Sequence, residues 1–302
     1  MQRCLRRACG RAASRPFAAP SRWAWAAFLA TFGLGHAADG REIPGPTSAD
    51  EARREAISAI PLARIAPESR GEVEGILRDP SLYRRLPTSV VECRPAMLTY
   101  LVENPEVLVE IWRQLGISKV RMQRIDATHF HVSDGAGASG VLTVAEQQCD
   151  ADAQNRLTLL VDGQYEGPPF QRPLRAKCVL LLRSGSLVES NGRPFVAARL
   201  DAFVKFDRTS LELVARLTQP LLGTTADRNF TDTMKFVSNF SLTAEHRPEA
   251  IDRLAEELET VDPPRRAELV RVAFECAEQG RRWHETRQAT ALDPVGLQAE
   301  RR

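Results

Sequence analysis

The sequence predicts an α+β fold: an antiparallel meander sheet packed on a long C-terminal helix, with extra helices at both ends. Three observations predict it. Between residues 120 and 206 apolar residues recur with a period of two, punctuated by the turn pairs Asp134-Gly135, Asp162-Gly163 and Asn191-Gly192. From Leu211 onward the apolar period becomes helical. Before residue 116 the apolar residues fall in short helical stretches separated by prolines.

Residues 1–38 read as an export signal. An arginine-rich, acid-free stretch to Arg22 precedes the apolar run from Trp23 to Leu34, and the small residues Gly35, Ala37 and Ala38 suit cleavage near Ala37. The run is too short to span a bilayer, which takes about 20 apolar residues. A mitochondrial-type transit peptide and an uncleaved anchor are the alternatives. Residues 39–87 read as a helical packing arm. Ser48 with Glu51 forms a capping box before a helix to about Ala59, and Ser69 with Glu72 forms another before a helix to about Arg78.

Residues 88–247 read as the α+β domain. Ser89 to Cys93 is a short strand, Pro95 opens a helix to about Glu103, and Asn104 caps another. Leu108, Ile111, Trp112 and Leu115 line one face of that helix, and Gly116 stops it. Five or six strands joined by short turns follow. In the last, Val196, Ala198, Leu200, Ala202, Val204 and Phe206 alternate with Arg199, Asp201 and Lys205. The closing helix has a first part with Leu211, Val214 and Leu217, an interruption at Pro220 and Gly223, and a second part with Phe230, Met234 and Val237. Residues 248–287 form two further helices, from Pro248 to about Val261 and from Pro264 to about Trp283, and residues 288–302 read as a disordered tail.

Composition bounds the function. With 43% apolar and 26% charged residues among 302, the chain is ordinary globular protein. Its net charge of +2 rests on six arginines in the leader (Arg3, Arg6, Arg7, Arg11, Arg15 and Arg22), and becomes −4 without them, which argues against nucleic acid as a partner. The cysteines outside the leader, Cys93, Cys149, Cys178 and Cys276, allow three pairings and show no metal-ligand spacing. No cofactor is expected.

The order strand, two short helices, antiparallel strands and long helix resembles the START-like helix-grip superfamily over residues 88 to about 245. The passage Arg94-Pro95, Asn104-Pro-Glu106 and Trp112 carries the resemblance. It implies a curved sheet gripping the long helix around an apolar cavity that holds a lipid or another hydrophobic molecule. The helices before residue 88 and after 247 depart from that pattern.

On this reading Phe230, Met234, Val237 and Trp112 are the candidate ligand-binding residues, although an apolar stripe at helical spacing also describes plain core. His129 and His131 share a strand face and can ligate a metal with a third residue, or simply face solvent. Tyr165, Arg199 and Asp201 have acid–base chemistry, but Arg199 and Asp201 read as a solvated cross-strand pair. Asn229 begins a glycosylation sequon yet can equally cap a helix. Three functions follow: an exported, non-catalytic binder of a hydrophobic small molecule with peripheral membrane contact; a structural or envelope-associated interaction protein without a ligand cavity; and a small-molecule cyclase or hydrolase.

Overall fold

Prolines open most of the helices. A ring that fixes φ and lacks an N–H is tolerated in the first turn, where the N–H has no intrahelical partner. A computed structural model describes residues 45–149, 154–168, 170–207 and 220–292. In it α1 (Asp50–Ala59), a 3-10 turn (Leu62–Arg64) and α2 (Pro67–Arg78) precede β1 (Leu82–Arg85) and β2 (Ser89–Glu92). Helices α3 (Pro95–Glu103) and α4 (Pro105–Gln114) lead to β3 (Arg121–Arg124), β4 (His129–Ser133), β5 (Ala138–Gln148), β6 (Gln154–Tyr165), β7 (Leu174–Val188) and β8 (Pro194–Phe206). Helices α5 (Pro220–His246), α6 (Pro248–Glu257) and α7 (Pro263–Leu292) complete the described residues.

The strands form one antiparallel sheet in the order β1-β8-β7-β6-β5-β4-β3, with β2 also paired to β8. Consecutive strands from β3 to β8 are neighbours, so the meander follows directly from the short turns. Helices lie on both faces. On the outer face, Ala56, Ile60, Val73, Ile76 and Leu77 of α1 and α2 pack with Leu160, Val179, Leu181 and Phe203. On the inner face, α3, α5, α6 and α7 build a second core with Val196 and Ala198. A sheet hydrophobic in places on both sides is stable only when both sides are covered.

Several expectations need correction. The described residues contain eight strands, of which β2 and the six from β3 to β8 are those the sequence predicts. The segment read as a helical arm also supplies β1, whose Leu82 pairs with Val204. Its four residues are too few for a visible alternation. Asp162-Gly163 is no turn: β6 continues through it, and Gly163 pairs with both Gly140 and Ala176. A Cβ on Gly140 would stand 2.6 Å from the Asp162 carbonyl oxygen, so this glycine serves a close approach of two backbones.

Neither capping box forms. Helix α1 starts at Asp50 behind Ala49, and α2 starts at Pro67, which leaves Ser69 inside the helix and buried. Helix α5 runs unbroken through Gly223, where a Cβ would stand 2.9 Å from the Arg84 guanidinium, and the stretch before Pro220 lies outside the described residues. Asn229 is buried in mid-helix, neither a cap nor an accessible sequon. Helix α6 ends at Glu257, and α7 continues through residues 288–292, within the stretch the sequence predicts as tail. The first part of the closing helix, with Leu211, Val214 and Leu217, lies outside the described residues, as do residues 1–44.

Candidate functional site

The register assigns each strand residue to a face. On the inner face of β4 to β8 one row runs Val132, Gly140, Gly163, Ala176, Phe206, and the next runs Phe130, Leu142, Val161, Cys178, Val204. A third runs Val144, Leu159, Leu180, Ala202. Across these five strands no inward-pointing side chain is charged. The glycines and the alanine of the first row carry almost no side chain, so the row between Val132 and Phe206 is poor in side chains.

This end of the face is only half covered. Val144, Leu159, Val161, Cys178, Leu180, Val204 and Phe206 are half-buried, and none belongs to either packed core. Burial pushes the Cys178 thiol up to about 12, which leaves it almost wholly protonated and a poor nucleophile at neutral pH. Charge returns only at the sheet's edges. On β3, Arg124 stacks on Phe130 at 4.4 Å and binds Glu106 of α4 at 2.7 Å. On β1, Arg84 binds Asp227 of α5 at 2.8 Å. Each arginine ties a helix to one margin of the uncharged face.

The outer face is the opposite. Asp201, fully buried, accepts hydrogen bonds from Tyr83 at 2.8 Å, Arg85 at 2.7 Å and Arg183 at 3.0 Å. Glu55 of α1 accepts from Arg183 at 2.5 Å, from Arg199 at 3.3 Å and from Arg85. Hydrogen bonding from Arg183, opposed by partial burial, holds the Glu55 carboxyl at about 2. Asp201 is therefore the buried centre of a network that docks α1, with Arg199 at its partly exposed rim, and the two are not the solvated pair that the alternation suggests. Strand alternation reports which face a residue takes, but not what covers that face.

Two open clefts also lie on this side. One of about 630 Å³ is walled by Asp50, Arg53, Ile57, Leu62, Glu74 and Leu77. Another of about 530 Å³ is lined by Glu72, His131, Thr143, Asp162, Gln164 and Arg175. His129 pairs with Asp126 at 2.9 Å, and among the described residues no group of three His, Cys, Asp or Glu side chains is placed to hold a metal ion. Tyr165 donates its hydroxyl to the Pro168 carbonyl at 2.9 Å. All four described cysteines are free thiols.

The structure brings Phe230, Met234 and Val237 together in the inner core with Leu86, Val196 and Ala198. Trp112 is buried beside them, edge-on to Phe236 at 5.9 Å. None of the four lines either cleft. The half-covered apolar band lies farther along the sheet, at Leu159, Val161, Cys178 and Leu180. Sequence reasoning missed these residues because the run Cys178 to Leu182 is apolar at every position and conceals its own alternation.

No protein-family model and no curated protein matches the sequence. Among solved structures, the chain is similar to a conserved protein of Geobacillus kaustophilus, with 11% identity and a TM-score of 0.36 over 53% of this chain and 95% of that one. It is also similar to a hypothetical protein of Helicobacter pylori, with 12% identity and a TM-score of 0.34 over 51% of this chain and 84% of that one. Among the described residues, no helix is long and apolar enough to cross a membrane.

Proposed function

We propose that this chain is an exported, non-catalytic binding protein that holds a lipid or another hydrophobic small molecule against the inner face of its sheet. The observation that carries the reading is the uncharged, half-buried band from β5 to β8, with a side-chain-poor row at Gly140, Gly163 and Ala176 that we read as a trough for the ligand. An apolar surface left partly wet favours a ligand that removes it from water, at about 0.8 kcal/mol for each methylene buried. Charged groups at the margins and none within suit an acyl chain or a similar molecule with few polar atoms. The packing of α5 on the inner face of the sheet beside this band also supports the START-like helix-grip reading of residues 88 to about 245.

The test is saturable binding of dansyl-labelled undecanoic acid to the unmodified protein and to two variants. Ala176→Trp fills the trough and is expected to abolish binding while the thermal melt stays cooperative. Met234→Trp overpacks the solid core, costing about 1–3 kcal/mol, and is expected to leave binding in place. Loss of binding in Met234→Trp but not in Ala176→Trp would move the ligand to Phe230, Met234 and Val237. No saturable binding in the unmodified protein would remove the reading.

A further inference from the structure

We propose that the turn end of the β7–β8 hairpin is a docking surface for an anionic lipid bilayer. Three apolar side chains stand out from it: Leu187, 51% exposed, and Val90 of the adjoining β2, 39%, on the outer face, and Val188, 72%, at the very tip on the other face. The register stacks the outer face here in bands. Leu187 pairs with Phe195 nearest the turn; Gly185 and Val90 both flank Ala197 in the next band; Arg156, Arg183 and Arg199 stand side by side beyond it. From Leu187 to Arg183 is four residues, roughly 13 Å along an extended strand. That separation places apolar tips at the boundary of the acyl chains when the arginines are near the level of the phosphates.

The charge balance of the arginine band favours an anionic surface. Arg85, Arg183 and Arg199 share two carboxylates, Glu55 and Asp201, so the group carries a surplus positive charge. Arg199 has the longest contacts of the three, 3.3 Å to Glu55 and 4.0 Å to Asp201, and stays partly exposed. Burial and the charges of Arg183 and Arg85 lower its pKa, the sign of a positive local field. Glu92, in the band nearest the turn, is bound by Arg193. Glu189 at the turn is the opposing exposed charge, held by Asn191.

Helix α7 adds an indole at the same level. Trp283 donates its ring N–H to the Asn191 carbonyl at 2.9 Å, with the guanidiniums of Arg193 and Arg287 over its ring at 4.6 and 5.1 Å. Tryptophan is enriched at membrane–water boundaries, and arginine serves there as an interfacial anchor. A nucleic acid would use the arginines but not the apolar tips, which is why a bilayer is the better-matched occupant.

The full chain is to be sedimented with vesicles of phosphatidylcholine, alone or with about one-third phosphatidylglycerol. Capture by the anionic vesicles only, weakened at least threefold when salt rises from about 0.1 to 0.5 M, is expected. The double variant Leu187→Asp, Val188→Asp alters exposed positions and is expected to lower affinity at least tenfold, with melting temperature and dansyl-undecanoate binding unchanged. Lipids brominated along the acyl chain are expected to quench Trp283, read as the difference between the unmodified chain and Trp283→Phe. Equal capture by both vesicle types, no capture by anionic vesicles, or undiminished capture and quenching in the double variant would overturn the proposal. Because the docking surface and the trough are separate, a chain that binds vesicles but no dansyl-undecanoate would refute the cargo reading alone.

Discussion

Along β8, neighbours in sequence occupy different environments. Asp201 and Phe203 point outward and are fully buried beneath the N-terminal helices, whereas Ala202 and Val204 point inward and are only half-buried. The face that carries Arg156, Lys177, Arg183, Arg199, Asp201 and Lys205 has its centre sealed by α1 and α2. The opposite face, uncharged across β4 to β8, is left partly open at its β5–β8 end. Polarity and burial are uncoupled here because the charged side chains find partners. A buried carboxylate with three donors pays its desolvation through hydrogen bonds, while a bare apolar face needs only something apolar laid on it.

The comparison can be broken most sharply at Asp201. Asp201→Ala leaves Tyr83, Arg85 and Arg183 without a shared acceptor in a closed site, and is expected to cost about 3–5 kcal/mol in urea denaturation. A loss under about 1 kcal/mol would mean that water enters the outer face freely. The next test pairs adjacent residues on the same strand. Phe203→Ala is expected to cost about 3–5 kcal/mol and Val204→Ala about 1 kcal/mol or less, because only the first empties a closed core. Equal costs would show that the inner face is as tightly packed as the outer.

Smaller effects sharpen the picture. Strand alternation alone predicts that Arg199 tolerates reversal of charge; the structure sets it beside Glu55 and Asp201, so Arg199→Asp is expected to cost about 1–3 kcal/mol, measured by the same denaturation. The smallest effect concerns pH. The folded-state pKa of Glu55 lies near 2, below its ordinary 4.5, so its ionised form stabilises the fold above pH 4.5 and that contribution is lost as pH falls from 4.5 toward 2. The carboxylate is almost half exposed, which limits the contribution to roughly 1 kcal/mol or less. Glu55→Gln is expected to lower the melting temperature slightly above pH 4.5 and to flatten the profile between pH 4.5 and 2, so that the two proteins converge at the acid end.

Much of the skeleton was legible. Pro95, Pro105 and Pro248 open helices where a first-turn proline predicts them, and Gly116, Gly135 and Gly192 take positive φ at the expected stops and turns. The candidate site was much less so. Alternation on β8 placed Val196 to Phe206 on one face correctly, yet Val196 and Ala198 are core and Val204 and Phe206 belong to the half-covered band. Nothing along β8 distinguishes those two ends, since the distinction is made by where α3 and α5 come to lie.

The sequence by itself determined most of the strands and helices, β1 excepted, because a period of two and a period near 3.6 are local properties of side-chain spacing. It also determined that the inner face of β8 is uncharged. Only the tertiary structure decided that the helices before residue 79 cover the outer face, that Asp201 is buried there among arginines, and that Gly163 is paired in mid-strand. Each of these depends on contacts between residues far apart in the chain, such as Asp201 with Tyr83 or Gly163 with Gly140, and register and coverage are set by the summed packing of whole elements rather than by the pattern within any one of them.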